Sequence, residues 1–68
     1  MKAVSGKALA RAVERKGWRL LRISGSHHID GKDGEIARLT IPIHRNHVLK
    51  QGLQRSLMKI AGLQENEL

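Results

Sequence analysis

Cysteine, phenylalanine and tyrosine are absent from the 68 residues, and tryptophan and proline occur once each. Without cysteine there is neither a disulfide framework nor a thiolate zinc site, which suits a reducing compartment. With Trp18 as the sole large aromatic, a single-strand binder built on a platform of stacked bases is not expected. No apolar run approaches the roughly 20 residues that a membrane-spanning helix needs. Met1 to Gly17 is a charged helical pattern without the apolar stretch of a signal peptide. The expectation is a single soluble, cytoplasmic domain over residues 1–68 that makes no membrane contact. A chain this short buries only about 60% of its unfolded surface, so its core is thin.

Positive charge is what the sequence has in excess. Thirteen Lys and Arg stand against six Asp and Glu, a net charge of +7 with neutral histidines. Polyanions are the natural partners of such a surface, and nucleic acid comes first among them. A basic surface kept for solubility, or one matched to an acidic protein, is the plainer alternative.

Hydrophobic spacing supplies the elements. Ala8, Leu9, Ala12 and Val13 form one stripe of an amphipathic helix over Ser5 to Lys16, with Ser5 as N-cap and Gly17 as left-handed stop. Trp18 to Ile23 reads as a strand whose adjacent Leu20 and Leu21 leave its buried face undecided. Ser24-Gly25 marks a turn, His27 to Asp30 a second strand, and Gly31 to Gly34 another turn. Glu35 to Ile43 alternates, with Ala37, Leu39, Ile41 and Ile43 on one face; Pro42 places this third strand at an edge or ends it. After a basic connection, Leu53, Leu57, Ile60 and Ala61 mark a second helix over Gln51 to Ala61, stopped at Gly62.

The expected fold is therefore α+β, in the order α-β-β-β-α: a three-stranded antiparallel sheet with two helices on one face and the other face open. That is the topology of the double-stranded-RNA-binding fold, although fold alone assigns no function. The chemistry rests on G-S-H-H at Gly25 to His28. Histidine is the usual acid or base for cutting RNA without a metal, the deprotonated ribose 2′-hydroxyl attacking phosphorus while Lys or Arg stabilises the phosphoryl charge. An H-H pair is a weak signal by itself, since most surface histidines have no catalytic task. His27 and His28 are both candidates, and adjacent strand residues point to opposite faces, so only one reacts. If Ile29 is a core residue on a regular strand, His28 points to the open face with Asp30. If His27 belongs to the Gly25-Ser26 turn, alternation need not hold there, and His27 is preferred.

Three stretches carry a more specific likeness: G-W-R-L-L-R-I-S-G-S-H-H from Gly17 to His28, T-I-P-I-H from Thr40 to His44, and G-L-Q-R-S-L-M-K-I-A-G-L from Gly52 to Leu63. In content, order and spacing they resemble the HicA toxin family over most of the chain. The resemblance implies a bacterial or archaeal toxin that cleaves messenger RNA and is held inactive by an antitoxin called HicB, with its catalytic histidine in the G-S-H-H element, placed here on His27. Family members commonly carry an aromatic and a His-Pro turn between the second and third strands, where this chain has I-D-G-K-D-G. The alternative is a non-catalytic double-stranded-RNA-binding module.

Arg19, Arg22, Arg38, Arg45 and Lys50 are the candidate phosphate contacts. Simple alternation sets Arg19 and Arg22 on opposite faces, so that only one belongs to the open surface. His44 follows the third strand, where a structural role is favoured. His44 and His47 are spaced for a metal only if both lie on one helical turn, and Pro42 and Arg45 beside them argue against it. No metal and no small-molecule cofactor is expected. Trp18 is read as core, with base stacking as its alternative.

Overall fold

The computed structural model describes residues 1–68. Helix α1 spans Gly6–Arg15, strands β1, β2 and β3 span Arg19–Ser24, His27–Gly31 and Leu39–Pro42, helix α2 spans Gln51–Ala61, and a 3-10 turn follows at Glu65–Glu67. The strands form one antiparallel sheet in the order β1-β2-β3. The α-β-β-β-α order and the sheet are as the sequence leads one to expect.

Local chemistry sets the helix ends. The Ser5 hydroxyl accepts the Ala8 N–H at 3.1 Å, satisfying one of the free donors of the first turn of α1. The chain leaves α1 through Gly17 at φ +96°, a conformation that costs a side-chain-bearing residue and not glycine. Helix α2 likewise stops at Gly62, whose backbone is left-handed.

Packing departs from the spacing at both helices. Leu9, Ala12 and Val13 are buried in α1, but Ala8 at the rim of the expected stripe is exposed. In α2 the buried residues are Gln54, Leu57, Met58 and Ala61, while Leu53 and Ile60 are partly exposed. The stripe is rotated because Gln54 is a tether. Its Oε1 accepts the Val4 N–H at 3.1 Å and its Nε2 donates to the Lys2 carbonyl at 2.6 Å, drawing the N-terminal segment onto the helix. Val4 then accepts the Leu49 N–H at 2.9 Å, and Ser5 pairs with Val48 in an isolated antiparallel bridge.

Of the three strands, only β3 sends apolar side chains, Leu39 and Ile41, into the core beneath the helices. Each fully buried side chain of this size contributes about 1.5–3 kcal/mol. The third strand begins at Leu39 rather than at Glu35. Residues 35–38 form a loop with Ala37 exposed and Ile36 almost fully so, and the Arg38 guanidinium donates to the carbonyls of Glu35 and Ile36 at 3.1 and 3.3 Å. Those carbonyls have an arginine donor where a strand would have offered a ladder. Pro42 is the last residue of β3, and β3 is an edge strand. Trp18 is core as expected: its indole N–H donates to the Ala61 carbonyl at 3.3 Å, which removes it from base stacking. At the C-terminal end the Lys16 ammonium meets Glu67 at 2.8 Å and, with the Gln64 N–H, holds that carboxyl below its usual range.

Candidate functional site

Residues directly opposite each other on an antiparallel ladder share a face of the sheet. Across the β2 ladders His28 faces Ile23 and Ile41, and Asp30 faces Leu20 and Leu39. Leu39 and Ile41 are wholly buried, so this row points toward the helices. His27 faces Ser24 and Pro42, Ile29 faces Arg22 and Thr40, and Gly31 faces Arg19; this row lies on the open side.

The two histidines are thereby separated. His27 is exposed on the open face and His28 is half-buried on the helix side. The condition that favoured His28 fails, because Ile29 is not a core residue: it is half-buried on the open face, and Asp30 is the residue shut away at 2% exposure. His27 also lies in β2 and not in the turn. Alternation holds at the pair, and the open face goes to His27 because the strand phase is the reverse of the one that an Ile29 core would impose. Gly25, at φ +60°, and Ser26 close the hairpin as a two-residue loop, a connection that keeps the strands paired up to its edge.

A β-bulge changes the placement of the arginines. The β1–β2 register slips between Leu20 and Arg22, so one extra residue stands on β1. Arg19 opposite Gly31 and Arg22 opposite Ile29 consequently share the open face, correcting the alternation that split them. The bulge also resolves the Leu20-Leu21 ambiguity. Leu20 lies on the helix side opposite Asp30, while Leu21 leans over Gly31, where an added Cβ would come within 2.7 Å of its Cδ1 and 3.3 Å of the Arg38 side chain. Gly31 gives Leu21 and Arg38 room to lie flat across the sheet.

The open face therefore carries His27 at one end of β2, Arg22 and the Thr40 hydroxyl opposite Ile29, and Arg19 and Arg38 at the Gly31 end; Thr40 was not among the expected contacts. Arg19 is engaged by Asp33 at 3.1 Å in an exposed ion pair of the kind worth at most about 1 kcal/mol, so it is readily released to a stronger anion. Arg45 and Lys50 are not in this cluster. Arg45 sits in a turn with φ +56°, and Lys50 precedes α2 as its N-cap residue, both beyond the end of β3.

On the opposite side, burial pushes the Asp30 carboxyl above the ordinary aspartate value, the Glu14 carboxylate adds to the shift, and His28 opposes it. The sequence held no sign of this, since the strand phase decides whether Ile29 or Asp30 faces inward. His44 and His47 flank a tight turn in which the His47 N–H donates to the His44 carbonyl at 3.1 Å, with ring centroids 5.0 Å apart. They do not share a helical turn, and no third histidine or carboxylate joins them to make a donor set. No helix is long and apolar enough to cross a membrane.

Chemically, the open face sets a water-accessible imidazole at His27, with Arg22 two residues along the same face of the sheet and Arg19 and Arg38 at its Gly31 end. No curated protein compared with the chain matches it. A family model described as "HicA toxin of bacterial toxin-antitoxin" matches residues 6–63. That span runs from the first residue of α1 past the end of α2 and includes every strand, and the chain belongs to the HicA toxin family, the toxin half of a bacterial toxin–antitoxin pair.

Proposed function

We propose that this toxin is an endoribonuclease that cuts messenger RNA in the cytoplasm without a metal, with His27 as the catalytic base and a HicB antitoxin as the partner that silences it. The observation that carries the reading is the face assignment: His27 is exposed in the same sheet surface as Arg19, Arg22 and Arg38, while His28 turns toward the helices. In the reaction the His27 imidazole takes the ribose 2′-hydroxyl proton and the 2′-oxygen forms a bond to phosphorus. The bond to the 5′-oxygen then breaks, that oxygen is protonated from solvent, and a 2′,3′-cyclic phosphate end remains. Arginine guanidiniums on the same face stabilise the charge on the phosphoryl oxygens. An acidic antitoxin is drawn rapidly to a chain of charge +7 by long-range attraction.

The test incubates purified wild type, His27→Ala and His28→Ala with RNA in EDTA and maps the new ends. Cleavage by wild type and by His28→Ala, with none by His27→Ala, supports the reading. Full cleavage by His27→Ala, or dependence on a divalent ion, overturns it. Salt-dependent RNA binding with no new ends from the wild type would leave a non-catalytic RNA-binding module in its place.

A further inference from the structure

Pro42 stands directly across the β2–β3 ladder from His27, and it also lines a groove of about 320 Å3. The remaining lining residues are His44, His47, Val48, Leu49, Lys50 and Leu53. Pro42 thus joins the groove to the strand pair that carries the His27 imidazole. The groove's volume falls at the small end of ligand pockets, which start near 300 Å3. That is room for one nucleoside-sized group.

Apolar surface, the absence of acid and a pair of planar rings meet in this lining. Val48 is 63% exposed and Leu53 37%, so the groove has apolar surface that nothing in the fold covers. No acidic side chain lines it and none occurs in the first turn of α2, while Lys50 stands at its rim, so it accepts an anionic ligand. The His44 and His47 rings, 5.0 Å apart and tilted by 55°, add the flat faces that the absence of Phe and Tyr denies the rest of the chain. An apolar seat, planar rings and one cation are the parts with which proteins hold an unpaired base and its phosphate.

We propose that this groove is a subsite for one unpaired nucleotide of the RNA substrate, its base seated on Val48 and Leu53 against the His44 and His47 rings and its phosphate at Lys50. The subsite rests on the reading of His27 as the centre of an RNA-cleaving site and extends it. A strand passing His27 continues over Pro42 into the groove, and seating the flanking base there holds the scissile phosphate at the imidazole. RNA unpaired beside the cut is accordingly preferred over a continuous duplex. His44 and His47 act here as positioning residues and make no contact with the reacting atoms.

Two measurements on the full chain test this. In the first, adenosine 3′-monophosphate is titrated into labelled protein, with inorganic phosphate as control, and the His44 and His47 ring signals and the Val48 and Leu53 methyl signals are followed by NMR. Saturable shifts at these groups with the nucleotide, absent with phosphate alone, support the subsite; silence, or the same response to phosphate, overturns it. This arm reads the groove whether or not the protein cuts RNA, so it separates failure of the subsite from failure of the nuclease reading. In the second, cleavage kinetics are compared for His47→Ala, His47→Phe and Val48→Ser. Loss of a stacking face raises KM by about five- to a hundredfold with kcat little changed, and His47→Phe, which keeps a planar ring and loses the titratable nitrogens, restores KM. A fall in kcat that His47→Phe does not rescue would make His47 a proton carrier and sink the positioning role.

Discussion

Asp30 lies directly opposite Leu39 on the β2–β3 ladder, and both side chains are shut away from water beneath the helices. Burial of a carboxylate in such company disfavours its charged form, and the raised Asp30 pKa follows. Between its ordinary value and the raised one the folded chain binds more protons than the unfolded chain, so stability falls as pH rises through that window. Above that window the burial of the Asp30 carboxyl opposes folding. The Asp30→Asn chain is expected to melt at a higher temperature than wild type at about pH 7, and the difference should shrink as the pH is lowered toward about 4. Thermal melts followed by circular dichroism across that range check it; a gain that does not shrink on acidification contradicts the assignment.

Gln54 is wholly buried and fastens the first residues of the chain to α2 through Val4 and Lys2. Gln54→Ala leaves a donor and an acceptor without partners and opens a cavity, a loss of about 2–4 kcal/mol. For a small chain that is a large share of the total stability. Urea unfolding should show a clearly lowered midpoint, and a variant within about 0.5 kcal/mol of wild type would show that the tether is dispensable.

Gly6 begins α1 against β3, and a Cβ placed there would overlap the carbonyl oxygen of Pro42. Replacing an exposed helical glycine by alanine ordinarily stabilises by about 0.5–1 kcal/mol. Here the collision with backbone wins, and Gly6→Ala should destabilise by about 1–3 kcal/mol. Because Pro42 pairs with His27, the same variant should shift the His27 amide signal in NMR spectra, whereas a loss confined to α1 would leave it in place.

The bulge in β1 predicts that Arg19 and Arg22 both face RNA on the open side. Each alanine substitution should lower the slope of log affinity against log salt by about 0.7 for single-stranded RNA, the loss of one phosphate contact. Filter binding over a salt series measures this. Were only one of the two to change the slope, simple alternation would have described β1 better than the bulge does.

Much of the fold was legible because its signals are local. Ser5, Gly17 and Gly62 announce helix ends by their own hydrogen bonding and backbone freedom, and helix α2 runs over the residues that its spacing and its glycine stop mark out. The phase of β3 was legible from its alternation, since Leu39 and Ile41 are buried, but the phases of β1 and β2 were not. Ile29 and Asp30 are neighbours, and nothing within five residues of them says which is covered. Arg19 and Arg22 change faces through one extra residue whose presence is visible only in the pairing with β2. The rotation of the α2 stripe was hidden for the same reason, since its cause is a hydrogen bond from Gln54 to residues about fifty positions away.

For the candidate site, the chain's own order of residues determined the positive charge, the hairpin that carries two histidines, and the α-β-β-β-α order that leaves one sheet face open. Those properties follow from composition and short-range spacing. Only the tertiary structure decided that His27 and not His28 stands on the open face, that Arg19 and Arg22 both share that face, and that Pro42 links it to the groove of His44 and His47. Register and coverage are set by the partner strand and the packed helix, and neither partner is adjacent in sequence to the side chain it orients.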